Sequence, residues 1–133
     1  MTEANVATLR AGYEALNRGD LCEVMALIDD DITFDPGSLS PDSDASARGR
    51  DRFRALVQSW LDAFDDFRIE PLDVTQDGDK LVAAVRQSGR GRGSGVDIAV
   101  EIAHVWTVRD GQAIRLESYP NVQAAREAVS PAR

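Results

Sequence analysis

The chain has 133 residues, of which 43% are hydrophobic and 29% charged, a composition typical of a globular domain rather than of a disordered or fibrous chain. Its 23 acidic residues outnumber its 15 basic residues and give a net charge of -8. This balance argues against nucleic acid or a membrane surface as a partner, because phosphate groups attract positively charged proteins. With one Cys and one His, an internal disulfide is impossible, and we expect no protein-bound metal and no cofactor.

Two helices are predicted near the start. An apolar stripe at helical spacing indicates the first one: Val6, Leu9, Tyr13 and Leu16. Gly19 stands where such a helix would end. Asp20, with Glu23 three residues later, forms a capping-box-like start. The apolar residues that follow predict a short second helix that includes Ile28.

The next segment reads as a strand, a loop and a helix. Three aspartates at 29–31 are expected to end the second helix, and residues 32–35 alternate as a short strand. Residues 36–48 are rich in Ser, Asp, Ala, Pro and Gly, which predicts a mobile loop. The strongest helical pattern of the chain then follows: Phe53, Leu56, Val57, Trp60, Leu61 and Phe64.

The remainder is strand-like. Apolar and alternating residues predict strands over 67–74, 81–85, 96–108 and 113–119, separated by Gly-containing turns, with the second strand running toward the Gly-rich stretch at 89–95. A short helix over 122–129 closes the pattern. No apolar run reaches the ~18 residues of a membrane span, and no signal peptide is recognised. We therefore expect one cytoplasmic α+β domain over residues 1–133, with helices on one face of an antiparallel sheet.

Alternation along the last two strands predicts which side chains face the helices. Ile102, His104 and Trp106 share one face of their strand. Leu116 and Ser118 share one face of the next strand. A three-residue turn over 109–111, with a left-handed Gly in a bulge, would bring these two sets together on the inner face of the sheet.

Several segments in this order resemble the SnoaL-like group of the nuclear transport factor 2-like superfamily. They are YEALNRGDL at 13–21, DDITFDP at 30–36, GR at 49–50 and HVWTVRDG at 104–111. The resemblance covers nearly the whole chain. It implies a cone-shaped, curved antiparallel sheet packed on three N-terminal helices around an apolar pocket, and a homodimer formed through the outer sheet face. The superfamily contains isomerases, cyclases, hydrolases and proteins without catalysis, so the fold alone leaves function open.

Two residues are candidates for catalysis. His104 is the single imidazole, on a strand expected to line the pocket, and an imidazole can transfer protons near neutral pH. A similar His occurs in SnoaL-type cyclases. Asp35, followed by Pro36, resembles the catalytic Asp of steroid delta-isomerase. The alternatives are a hydrogen-bonded core histidine and an Asp-Pro pair that only closes a strand.

The resemblance also has gaps. The acid that polyketide cyclases carry on the last strand falls on Ser118, and a hydroxyl cannot replace a carboxylate as a base without an activator. The oxyanion-binding Tyr of the isomerase falls on Gly12, one place from Tyr13. Ser118 or Gln87 could donate a hydrogen bond to an enolate oxygen.

Together these features predict a pocket protein for a small hydrophobic organic molecule. The expected lining residues are Tyr13, Trp60, Phe64, Gln87, Trp106, Leu116 and Ser118. If the protein is an enzyme, the reaction is a cofactor-free isomerisation or cyclisation of a polyketide-like or steroid-like substrate, with Asp35 and His104 as acid and base. The alternative is a ligand-binding or accessory dimerisation domain without turnover.

Overall fold

The computed structural model describes residues 2–35 and 47–129. Four helices are present in this part of the chain: α1 (Thr2–Asn17), α2 (Leu21–Ala26), α3 (Arg50–Ala63) and α4 (Val122–Val129). The strands of the same part are β1 (Ile28–Asp35), β2 (Ala47–Arg48), β3 (Phe64–Asp77), β4 (Lys80–Gly91), β5 (Asp97–Arg109) and β6 (Gln112–Tyr119). The α+β class agrees with the sequence patterns, but Phe64, predicted as the last apolar residue of the third helix, is the first residue of β3 because α3 ends at Ala63.

The strands form one sheet in the order β2-β1-β6-β5-β4-β3. From β3 to β6 consecutive strands pair antiparallel as a meander. The sheet is antiparallel as predicted in every pair except one: β1 and β6 run parallel. No hairpin constrains their relative direction, because α3 and four strands separate them along the chain.

The second helix is shorter than predicted. It begins where expected, with the Asp20 carboxylate accepting a hydrogen bond from the Glu23 backbone N–H at 3.2 Å. It ends at Ala26, and Ile28 already belongs to β1. The carbonyl oxygen of Ile28 accepts hydrogen bonds from the Arg50 guanidinium. These tertiary contacts hold the residue in the sheet although its spacing fits the helix.

The predicted loop over 36–48 needs a similar correction at its end. Ala47 pairs with Phe34, and Arg48 pairs with Thr33, so these two residues form an edge strand against β1. A strand of two residues is too short to show an alternating pattern in the sequence, so it could not be predicted. The rest of the predicted loop, residues 36–46, lies outside the described residues.

The sheet has an inner face packed on α1, α2 and α3 and an outer face partly covered by α4. The inner face carries the larger core. On the outer face Val82, Ala103 and Val105 pack against Ala125 of α4. In the two described ranges no helix has the length and apolar character needed to cross a membrane.

Candidate functional site

A cavity of about 80 Å³ lies between the inner face of the sheet and the helices. Its walls are almost entirely apolar and include the aromatic rings of Phe53, Trp60 and Trp106. Among the described residues that line it, none is an Asp, Glu, Lys or Arg. The interior therefore offers no charged side chain at neutral pH and favours neutral occupants over ions.

The turn between β5 and β6 sets the register of the two strands that carry the site. Arg109 pairs with Gln112, so the turn has two residues and not the three predicted. Both of them, Asp110 and Gly111, have positive φ, as a type I′ turn requires. The register then shifts after Thr107, where a bulge compensates for the shorter turn.

The shift brings the expected residues side by side. Trp106 lies opposite Leu116, and His104 lies opposite Ser118. All four are buried, and the alternation of the strands places them on the inner face. The inward-facing residues of β5 and β6 are therefore paired on one face as predicted, although the turn that joins the two strands differs from the predicted one.

Three buried side chains form a hydrogen-bonded chain at the cavity. Trp106 Nε1 donates to the Tyr13 hydroxyl oxygen at 2.8 Å. The same hydroxyl lies 2.9 Å from His104 Nδ1. Tyr13 is 4% exposed and His104 2% exposed, so water does not compete for these bonds. The network links α1 to β5 across 91 residues of sequence.

Burial changes the acid-base properties of both titratable members. Desolvation lowers the pKa of His104 to about 4, because a charged imidazolium is costly in this apolar environment. Burial also raises the pKa of Tyr13, with the Trp106 hydrogen bond opposing the effect. At neutral pH both side chains are therefore uncharged.

Five of the predicted site residues line the cavity: Tyr13, Trp60, His104, Trp106 and Leu116. Asp35, Phe64, Gln87 and Ser118 do not. Ser118 is nevertheless buried, as the cross-strand neighbour of His104. Gln87 lies on β4, paired with Val100, which is exposed. Phe64 packs on Phe67, with ring centroids 6.0 Å apart.

The pairing of Asp35 with His104 as acid and base must be corrected. Phe34 is buried on the inner face, so the next side chain, Asp35, points to the opposite face of β1. There the carboxylate lies 3.4 Å from the guanidinium of Arg115, and about half of each side chain is exposed. The sheet therefore separates Asp35 from the cavity.

Two polar cavity residues were not predicted. Asn5 and Thr8 lie on α1 and contribute to the lining together with Leu9 and Gly12. Their spacing of three and four residues places them on the face of α1 that carries Tyr13. Extending the apolar stripe of the first helix to its polar neighbours would have found them. In the described ranges, no three His, Cys, Asp or Glu side chains are grouped as a metal site requires.

Several solved structures resemble the fold. A candidate SnoaL-like polyketide cyclase from Jannaschia sp. CCS1 has a TM-score of 0.77 at 19% identity, covering 99% of this chain and 95% of that one. A candidate ketosteroid isomerase from Kribbella flavida DSM 17836 has a TM-score of 0.73 at 21% identity, covering 90% and 80%. A candidate polyketide cyclase from Sinorhizobium meliloti has a TM-score of 0.65 at 25% identity, covering 80% and 87%.

No curated protein matches the sequence. Residues 9–116 match the SnoaL-like domain family, and this range includes the C-terminal half of α1, all of β1 to β5, and both partners of the Tyr13–His104 hydrogen bond. The chain therefore belongs to the SnoaL-like family, with the fold of the nuclear transport factor 2-like proteins.

Proposed function

We propose that the protein binds one small, neutral, largely apolar organic molecule in the cavity between the sheet and the helices. The observation that carries this proposal is the combination of apolar walls with the buried hydrogen-bonded chain of Trp106, Tyr13 and His104. Ligand sites of this kind use apolar surface for affinity and a few polar groups for orientation. An ionised ligand would lose its hydration without gaining an opposite charge among the described lining residues.

The cavity volume limits the size of the occupant. About 80 Å³ is less than the roughly 150 Å³ of an engineered core cavity that holds benzene. A polyketide-like or steroid-like molecule would require the cavity to widen considerably. A small cyclic ketone is about the size of benzene and needs the cavity to widen by much less, so we propose compact ligands of this kind, or short branched molecules, as the class to test first.

A thermal-shift series of small cyclic and branched molecules tests this function. The matched variants are Ala113→Val, which narrows the cavity from β6, and Ala99→Val, which adds the same methyl groups on the exposed part of β5. We expect ligands to raise the melting temperature of the wild type and of Ala99→Val. In Ala113→Val this increase should be largely lost. An equal increase in Ala113→Val, or none in the wild type, would contradict binding in this cavity.

A second candidate function is cofactor-free proton transfer by His104, as in an isomerase or cyclase. It is favoured by the position of the imidazole in the cavity wall and by the candidate cyclases and isomerase among the related folds. The lowered pKa of His104 makes the imidazole a weak base, and Asp35 cannot assist it from the other face. We therefore rank ligand binding above catalysis.

Deuterium exchange separates these two functions. A ketone bound next to a working base exchanges its α-hydrogens with D₂O faster than free ketone does, and NMR measures this rate directly. Catalysis predicts acceleration by the wild type and its loss in His104→Phe. If the protein only binds ligands, we expect saturable binding of the ketone, with its α-hydrogens exchanging no faster than in free solution.

We also propose that the protein forms a homodimer through the part of the outer sheet face that α4 leaves open. Arg86 and Glu101, which are exposed cross-strand partners on this face, would then become less accessible. Light scattering coupled to size-exclusion chromatography tests this, because a dimer has twice the 14.5 kDa of the chain.

A further inference from the structure

The hydrogen-bonded chain of Trp106, Tyr13 and His104 has a fixed direction. An indole N–H can only donate, so the 2.8 Å contact makes the Tyr13 oxygen the acceptor. The hydroxyl hydrogen of Tyr13 is then available for its other neighbour, His104 Nδ1, at 2.9 Å. If Tyr13 donates there, Nδ1 carries a lone pair and the hydrogen of the neutral ring is on Nε2.

The opposite arrangement satisfies fewer groups. If Nδ1 carried the hydrogen, it would donate to Tyr13, and the Tyr13 hydroxyl hydrogen would need another acceptor. Within residues 2–35 and 47–129 the hydroxyl forms hydrogen bonds only with Trp106 and His104. That arrangement leaves the hydrogen of the buried Tyr13 hydroxyl without an acceptor, whereas the first arrangement gives it one. An unmatched buried polar group costs about 1–3 kcal/mol, so the first arrangement is favoured.

We infer that Tyr13 and Trp106 are positioning residues that hold His104 with its hydrogen on Nε2, so that the cavity presents a fixed hydrogen-bond donor and selects ligands with an acceptor such as a carbonyl oxygen. In the described part of the chain, no side chain or carbonyl group accepts a hydrogen bond from Nε2. A ligand oxygen would supply the missing acceptor. Burial supports the same conclusion, because it keeps the ring uncharged at neutral pH.

The selection of ligands rests on the proposed function, whereas the position of the hydrogen is a property of the unliganded protein. The two parts are therefore tested separately. Nitrogen-15 NMR of the single imidazole distinguishes a protonated from an unprotonated ring nitrogen. At pH 7 we expect Nε2 to be protonated and Nδ1 to be unprotonated. A protonated Nδ1 in the wild type would overturn the inference.

Two variants test whether Tyr13 acts through its hydroxyl group. Tyr13→Phe removes the donor to Nδ1 and should produce a measurable population with the hydrogen on Nδ1. Trp60→Phe is the matched control. Trp60 lines the same cavity and packs edge-on against Phe34, but it is not part of the hydrogen-bonded chain of Trp106, Tyr13 and His104. The control should keep the wild-type signals. Unchanged signals in a folded Tyr13→Phe would overturn the positioning role.

The ligand part is tested with two molecules of nearly equal shape, cyclopentanone and methylenecyclopentane, titrated by NMR. The measured quantity is the ratio of their dissociation constants, compared between the wild type and His104→Phe. This comparison cancels the different hydration of the free ligands. Loss of one hydrogen bond to a buried donor should change the ratio by about ten-fold against the ketone.

The outcomes separate the two proposals. Binding of both molecules with the same ratio in His104→Phe would overturn the selection by Nε2 and leave the pocket function standing. Binding of neither molecule to the wild type would refute the proposed function together with ligand selection. The nitrogen signals would still decide the direction of the hydrogen bonds between Trp106, Tyr13 and His104.

Discussion

The burial of His104 predicts that the protein loses stability in mild acid through this one residue. The imidazole has an ordinary pKa of 6.5, which burial lowers to about 4 in the folded protein. Between these values the unfolded chain binds a proton that the folded protein does not bind. The contribution of His104 to the free energy of unfolding is therefore fully present above pH 6.5, and it is lost as the pH is lowered towards 4.

The size of the loss follows from the difference between the two pKa values. Each pKa unit corresponds to about 1.36 kcal/mol, so the 2.5 units between 6.5 and about 4 correspond to a loss of about 3 kcal/mol. This is a large fraction of the 5–15 kcal/mol that typically stabilises a domain. His104 is the only histidine, so no other imidazole contributes to this window.

Urea unfolding of the wild type and of His104→Gln at pH 7 and at pH 4.5 measures the effect. Glutamine has no titratable group, and its carbonyl oxygen can accept the hydrogen bond from Tyr13. Carboxylates also titrate near pH 4.5, but they do so in both proteins and cancel in the difference. The wild type should lose about 2–3 kcal/mol more than the variant between these pH values. If the free energies of unfolding of the two proteins differed by the same amount at pH 7 and at pH 4.5, the conclusion that His104 is neutral and desolvated would be refuted.

Three further outcomes are expected. Tyr13→Phe should lower the free energy of unfolding by about 1–3 kcal/mol, because the Trp106 N–H loses its acceptor in a buried place; urea titration measures this, and a loss below about 0.5 kcal/mol would contradict the network. Asp35→Asn should leave ligand-induced thermal shifts unchanged and alter stability by less than about 1 kcal/mol, since its ion pair with Arg115 is half-exposed; a loss of ligand binding would contradict its position outside the cavity. Light scattering should give twice the chain mass of 14.5 kDa at micromolar concentration, and a monomer at all concentrations would rule out the homodimer.

Local patterns were sufficient for much of the fold. The helical stripe of α3 and the alternation along β5 depend on neighbours within a few residues, and both elements appear in the structure, although Phe64, the last residue of the predicted stripe, begins β3. Alternation also placed His104 on the inner face without knowledge of the tertiary structure. Patterns of this kind are reliable where one face of an element must be buried.

The differences occur where contacts distant in sequence decide the conformation. Ile28 fits a helical stripe, but hydrogen bonds from Arg50 hold it in β1. The Asp-Pro resemblance suggested an inward Asp35, yet a shift of one residue on a strand reverses the face, and Phe34 takes the inner position. The Tyr13–His104 contact depends on how α1 packs on the sheet, which no spacing within either element reveals.

The most direct test of the proposed ligand site follows the imidazole nitrogens of His104 while cyclopentanone is added to the wild type at pH 7. We predict that the protonated Nε2 signal shifts saturably as the ketone oxygen accepts its hydrogen, while the Nδ1 signal changes little because Tyr13 remains its donor. If both nitrogen signals stayed unchanged at a saturating concentration of the ketone, a ligand site that includes His104 would be contradicted.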